Sequence, residues 1–134
     1  MTVSRSERIR TWHDLRRNDV ARELLRSWTA KHRFARTAPR KARLVIDMIR
    51  GRYCDEALEQ LRFNPRRSAV FIRDVLKAAM VNADEAEAEM GRLFVAEARV
   101  DGGPYQRRWR PKDRGRMHPI AKRTSHIVVV VAEG

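Results

Sequence analysis

Leu93-Phe94-Val95-Ala96-Glu97-Ala98-Arg99-Val100-Asp101 and Ile127-Val128-Val129-Val130-Val131 are the two stretches that decide the fold of this chain. Both are rich in apolar and β-branched residues and bounded by glycine or charged clusters, so both read as β-strands. The second is apolar on both faces, which suits an interior strand better than an exposed edge. Between them, from Tyr105 to Arg123, eight basic residues (Arg107, Arg108, Arg110, Lys112, Arg114, Arg116, Lys122, Arg123) stand against one acid, Asp113. A connection this long is uncommon in a compact domain and is usually functional or disordered. If its arms continue as strands over residues 93–132, a rise of about 3.3 Å per residue carries the tip roughly 50 Å from the core. Asp113-Arg114-Gly115-Arg116 reads as the tip turn, with Gly115 supplying a positive φ. Tyr105, Trp109, Met117 and Ile120 are too few to build a core of their own. Self-repelling charge on such an element needs a polyanion to settle against.

The rest of the composition agrees. The chain has 134 residues, a net charge of +13, a pI near 11.3, and 30 Lys or Arg, most of them Arg. Charge spread along the whole length argues for nucleic acid before a membrane or an acidic protein. Arg's planar fork suits bidentate phosphate contact and stacking on bases. No apolar run approaches a membrane span, and Met1 to Arg10 lacks the apolar core of a signal peptide. The single cysteine, Cys54, excludes an internal disulfide and fits a reducing compartment.

Upstream of the ribbon, residues 1–29 form a basic extension with seven Arg and four acids. Trp12/Leu15 and Leu24/Leu25/Trp28 have the spacing of an amphipathic helix; a basic tail that orders only on a partner is the alternative. Glu7, Asp14, Asp19 and Glu23 argue against a transit peptide. Residues 30–36 alternate loosely, as a short strand. Thr37 then reads as an N-cap, with Pro39 in the first turn of a helix running to about Arg50 and Gly51 just past its end. Ala42, Val45, Ile46 and Ile49 make its apolar stripe. Arg40, Lys41 and Arg43 crowd the end that the helix dipole makes positive, which implies either an external anion or a solvated basic face. A second helix covers about Cys54 to Leu61, with Ala57, Leu58 and Leu61 inward. Asn64-Pro65 opens a third, to about Ala83, with Ala69, Ile72, Leu76, Ala79, Met80 and Ala83 inward and Arg66, Arg73 and Lys77 on another face. Asp84, Glu85, Glu87 and Glu89 mark an exposed acidic end far from any polyanion.

Catalytic patterns are missing. Cys54 and the four His (His13, His32, His118, His126) lack metal-ligand spacing. Gly102-Gly103-Pro104 lacks the ending of a phosphate-binding loop. Ser125 and His126 are neighbours in a strand and point to opposite faces. The reading is therefore no enzyme, no metal and no cofactor. Trp109 has two readings, stacking on an unpaired base or bracing the opposite arm of the hairpin.

A linear set of motifs then resembles a known family, large-subunit ribosomal protein twenty-two. It comprises Ala30-Lys31-His32-Arg33-x-Ala35-Arg36, Pro39-Arg40-Lys41-Ala42-Arg43-Leu44-Val45, Ile49-Arg50-Gly51, Val75-Leu76-Lys77-x-Ala79 with Asn82-Ala83, Val100-Asp101-x-Gly103-Pro104, Arg110-Pro111-x-x-Arg114-Gly115-Arg116, and the most specific, Lys122-Arg123-Thr124-Ser125-His126-Ile127. The match runs from residue 30 to the C-terminus and leaves residues 1–29 without a counterpart. The resemblance implies an α+β fold, a small antiparallel three-stranded sheet packed on three helices, with a long projecting β-hairpin. It implies a constituent of the large ribosomal subunit, on a cytoplasmic or an organellar ribosome. Its partners would be the large ribosomal RNA, neighbouring ribosomal proteins and, at the hairpin tip, the nascent polypeptide in the exit tunnel, with no membrane and no homo-oligomer. It would act early in assembly. Its tunnel constriction, near which macrolides bind, would fall close to Gln106–Arg108 and the tip. Carried over by position, Arg107, Arg108, Trp109, Arg110, Lys112, Arg114 and Arg116 would touch RNA along the hairpin. Lys31, His32, Arg33, Arg40, Lys41, Arg43, Lys122 and Arg123 would do so on the globular part. Asp113 is an acid within a tip that the family keeps basic or neutral.

The rival is a winged-helix DNA-binding regulator, with residues 64–83 in the major groove and the hairpin as wing. It explains the charge but not so long a ribbon. A membrane-surface protein is a third reading, short of the apolar face it would need.

Overall fold

The computed structural model describes residues 3–17 and 26–134. Among the described residues, four α-helices and three strands follow in the order α1 (Arg5–Arg17), β1 (Ser27–Ala35), α2 (Pro39–Ile49), α3 (Cys54–Phe63), α4 (Ser68–Glu85), β2 (Leu93–Pro111) and β3 (Met117–Glu133). The strands form one antiparallel sheet in the order β1-β3-β2, so the Val-rich run is the interior strand its sequence predicts. The α+β class and the long hairpin are as expected.

Alternation sends the two sides of the sheet into different layers. Val95, Ala98, Val100, Ile127, Val129 and Val131 face the main core, with Ala42, Val45, Ile46 and Ile49 of α2 and Ile72, Leu76 and Ala79 of α4. Phe94, Ala96, Val130 and Ala132 face the other way, against Trp12 of α1, with Tyr53 alongside. The amphipathic reading of residues 1–29 therefore holds over α1, as a helix covering the second face of the sheet. Only part of its expected stripe is used: Trp12 is 4% exposed and Leu15 40%. Trp28 belongs to strand β1, and Leu24 and Leu25 lie outside the described residues.

Cations orient α1. The Arg5 guanidinium donates to the carbonyls of Arg50 and Asp47, Arg8 donates to the Gly51 carbonyl at 2.9 Å and lies 4.4 Å from the Tyr53 ring centre, and Arg16 pairs with Glu97 at 2.8 Å. Gly51 is the pivot. Its φ is +76°, and a β-carbon there would lie 2.5 Å from Ile9 Cδ1 and 2.8 Å from Arg5 Cγ. Gly51→Ala combines left-handed strain with displacement of α1, so we expect a loss of about 1–2 kcal/mol or more in urea unfolding.

Four helix boundaries differ from expectation. The N-cap of α2 is Ala38, not Thr37, because the residue before a proline is held extended; Ala38 has ψ 136°, and the Thr37 amide closes a turn on the Ala35 carbonyl. The third expected helix starts at Ser68 rather than Asn64-Pro65. Asn64 Oδ1 accepts the Arg66 amide at 3.0 Å, a side-chain-made turn that precedes the helix. Thus Arg66 sits ahead of α4 instead of on its face, while Asp84, Glu85, Glu87 and Glu89 are exposed as expected. The second helix continues two residues further than expected, to Phe63, and the third likewise, to Glu85.

Strand β2 is an edge, and in its core half the free backbone groups of Val95, Ala98 and Val100 are covered. Val95 exchanges hydrogen bonds with Gly51 and Arg52, Arg50 donates to the Ala98 carbonyl at 2.7 Å, and Arg43 to the Val100 carbonyl at 3.1 Å. Such capping blocks edge-to-edge pairing.

Candidate nucleic-acid interface

From Asp101 onward β2 leaves the core, and its eleven residues to Pro111 extend about 35 Å at the rise of a strand, shorter than expected because the core claims the first eight residues, Leu93 to Val100. The departure is built by a bulge between Gly102 and Tyr105. Pro104 has no amide to donate, and its carbonyl accepts the Thr124 hydroxyl. Gly103 is required by close approach: a β-carbon there would lie 2.6 Å from Thr124 Oγ1. At the tip, Asp113–Gly115 form a short 3₁₀ turn in which both Arg114 (φ 54°) and Gly115 (φ 69°) are left-handed.

Strand alternation gives the hairpin two unlike sides. The register places Tyr105, Arg107, Trp109 and Pro111 opposite Arg123, Ala121, Pro119 and Met117. The other side carries Gln106, Arg108 and Arg110 opposite Lys122, Ile120 and His118. One side is thus aromatic and apolar with two cations, while the other carries three cations among six residues. Trp109 faces Pro119 yet stays 60% exposed, so bracing leaves a ring surface available for stacking. Arg107 and Arg123 flank Tyr105, each 5.9 Å from its ring centre. Arg107, Arg108, Arg110, Lys112, Arg114 and Arg116 are all exposed.

Where the hairpin meets the globular part, a cleft of about 1050 Å³ opens. Among the described residues its walls include Arg36, Lys41, Arg66, Arg67, Arg108, Lys122 and Arg123, and no acid. The starts of α2 and α4 both reach it, and neither has a side-chain cap. Helix-start amides and seven cations around one concavity make a strongly anion-attracting surface. The expected residues Lys41, Lys122, Arg123 and Arg108 come together here. Arg36, Arg66 and Arg67 were not among the expected contacts, although cations crowding a helix start gave the same signal on α2.

The other expected residues are distributed differently. Lys31, Arg33 and Arg40 are exposed. His32 is half-buried, its ring tilted against Phe71 with centres 5.6 Å apart. Arg43 is committed to the Val100 carbonyl. Among the described residues no group of three or more His, Cys, Asp or Glu is placed to hold a metal, and none of the helices is long and apolar enough to cross a membrane. Burial pushes the Cys54 thiol up to about 12, so it stays protonated and unreactive near neutral pH.

Comparison with known proteins agrees with this geometry. The profile of a family described as "Ribosomal protein L22p/L17e" matches residues 30–132. The chain is also similar to "Large ribosomal subunit protein uL22" of Lactobacillus gasseri and of Lactobacillus johnsonii, 47% identical to each over 112 residues, covering 83% of this chain and 96% of the relative.

Proposed function

The chain belongs to the ribosomal protein L22p/L17e family and is a structural, non-enzymatic protein of the large ribosomal subunit, and from that premise we propose that it binds large-subunit ribosomal RNA through the basic cleft and the hairpin. The observation that carries this is the cleft, with seven cations and no acid around two uncapped helix starts. Arg107, Arg108, Trp109, Arg110, Lys112, Arg114 and Arg116 contact RNA along the hairpin; Lys31, Arg33, Arg40, Lys41, Lys122 and Arg123 do so on the globular part, with smaller shares from His32 and Arg43. Residues 30–134 are the ribosomal unit and residues 1–29 an extension that adds α1. The protein works in the cytoplasm, on the ribosome, beside other large-subunit proteins. It assists assembly, its hairpin lines the polypeptide exit tunnel, and its tip meets the nascent chain.

The charge of the hairpin supports a threaded position, since each phosphate neutralised releases counterions and strengthens binding. The winged-helix reading loses ground at α4, whose exposed positions include Val70, Asp74, Val81, Asp84 and Glu85, a poor surface for a phosphate-lined groove. Competition binding tests the proposal. Labelled large-subunit ribosomal RNA should be retained by the protein against a large excess of duplex DNA. Displacement by DNA at equal mass would reject the RNA reading.

A further inference from the structure

Phe34 is an exposed aromatic residue held by strained backbone. The register of β1 against β3 slips between His32 and Ala35, and in that bulge Phe34 takes φ +58°, a conformation that a bulky side chain rarely adopts. The bulge turns the ring outward, leaving Phe34 57% exposed while Ala35, next in the chain, is 1% exposed. His126 holds it there. Its Nδ1 accepts the Phe34 amide at 3.0 Å, and the two rings meet edge to face with centres 4.9 Å apart. His126 belongs to the most specific motif of the sequence, and this contact gives it a task.

We propose that Phe34 is a stacking platform for an unpaired base of the ribosomal RNA, held out from the sheet by His126. The inference rests on the RNA reading above. Left-handed strain spent on exposing a ring calls for an occupant, and the surroundings select which. Lys31, Arg33 and Arg36 are exposed in the same segment, and no acid occurs from Ser27 to Ile46. The acid paired in register with His126 is Asp101, and it is engaged by Arg99 at 3.4 Å. An aromatic face among cations is the composition that receives a base and its phosphates.

Phe34→Asn tests this, because Asn tolerates the left-handed backbone and removes the ring. The free protein should melt no lower than the parent, while affinity for transcribed large-subunit ribosomal RNA falls about 5- to 100-fold. The salt dependence of binding should stay unchanged, since no phosphate contact is lost, and Phe34→Trp should restore affinity. Short-wavelength irradiation of native large subunits should leave a nucleotide on the Phe34 peptide. Parent-like affinity in Phe34→Asn, a lowered melting temperature that tracks the lost affinity, or a crosslink from Phe34 to another protein would each overturn the proposal. If Arg107→Ala/Arg108→Ala/Arg110→Ala loses binding and Phe34→Asn does not, the stacking role alone falls. If the parent protein does not bind this RNA, both readings fall.

Discussion

Replacing Arg107, Arg108 and Arg110 together by Ala should weaken binding to large-subunit ribosomal RNA about a hundredfold to a thousandfold, with the fold intact. All three side chains are exposed, and among the described residues the Arg108 guanidinium donates to the neighbouring Arg107 carbonyl, so folding has little at stake. Taken at about 1–1.4 kcal/mol each, within the usual net range for a hydrogen bond, three solvent-exposed contacts give about 3–4 kcal/mol, which is that loss. The salt dependence is the sharper readout. Each phosphate contact contributes about 0.7–0.9 to the slope of log affinity against log salt, so the triple variant should be flatter by about 2 to 3. A weaker variant with an unchanged slope would mean that these arginines do not meet phosphates.

Trp12→Ala should destabilise the protein by about 3 kcal/mol, the low end for removing a buried tryptophan. The low end is appropriate because Trp12 Nε1 is buried without a hydrogen-bond partner among the described residues, so part of the burial is already unfavourable. In a domain of this size that is a melting temperature lower by roughly 10 °C. The loss arises on the second face of the sheet, where Phe94, Ala96, Val130 and Ala132 would be uncovered. A shift within a degree of the parent, measured by calorimetry, would mean that α1 does not hold that face closed.

What the sequence disclosed depended on how local the determinant was. The apolar stripe of α2, the interior strand Ile127–Val131 and the tip turn at Gly115 are set by neighbours within a few residues, and each is found where its pattern places it. The strand over residues 30–36 and the paired arms of the hairpin are found too, the hairpin with a shorter projection because the core absorbs residues 93–100. The boundaries that moved did so under competing local chemistry: Pro39 forces Ala38 to be the cap, and the Asn64 side chain builds a turn that delays α4.

Contacts between distant segments were not legible. Nothing around Arg43 marks it as the partner of the Val100 carbonyl, because the need arises only once β2 becomes an edge. The cleft had the same difficulty: Arg66 and Arg67 join Arg36 and Lys122 only after α4 and the hairpin root are brought together. Phe34 occupies the one unspecified position of the motif over residues 30–36, and the side chain that holds its amide at the register slip, His126, lies far along the chain. In sequence, residues 1–29 fit a helix and a disordered tail alike, because the partner of Trp12 is a sheet face assembled from residues 94–132.

Fractionation of native lysate on a sucrose gradient across a series of salt washes, followed with an antibody to this chain, tests the central claim most directly. An integral ribosomal protein with its hairpin threaded through RNA should remain with the large subunit after the most stringent wash. Release at modest salt, or migration with chromosomal DNA, would contradict it.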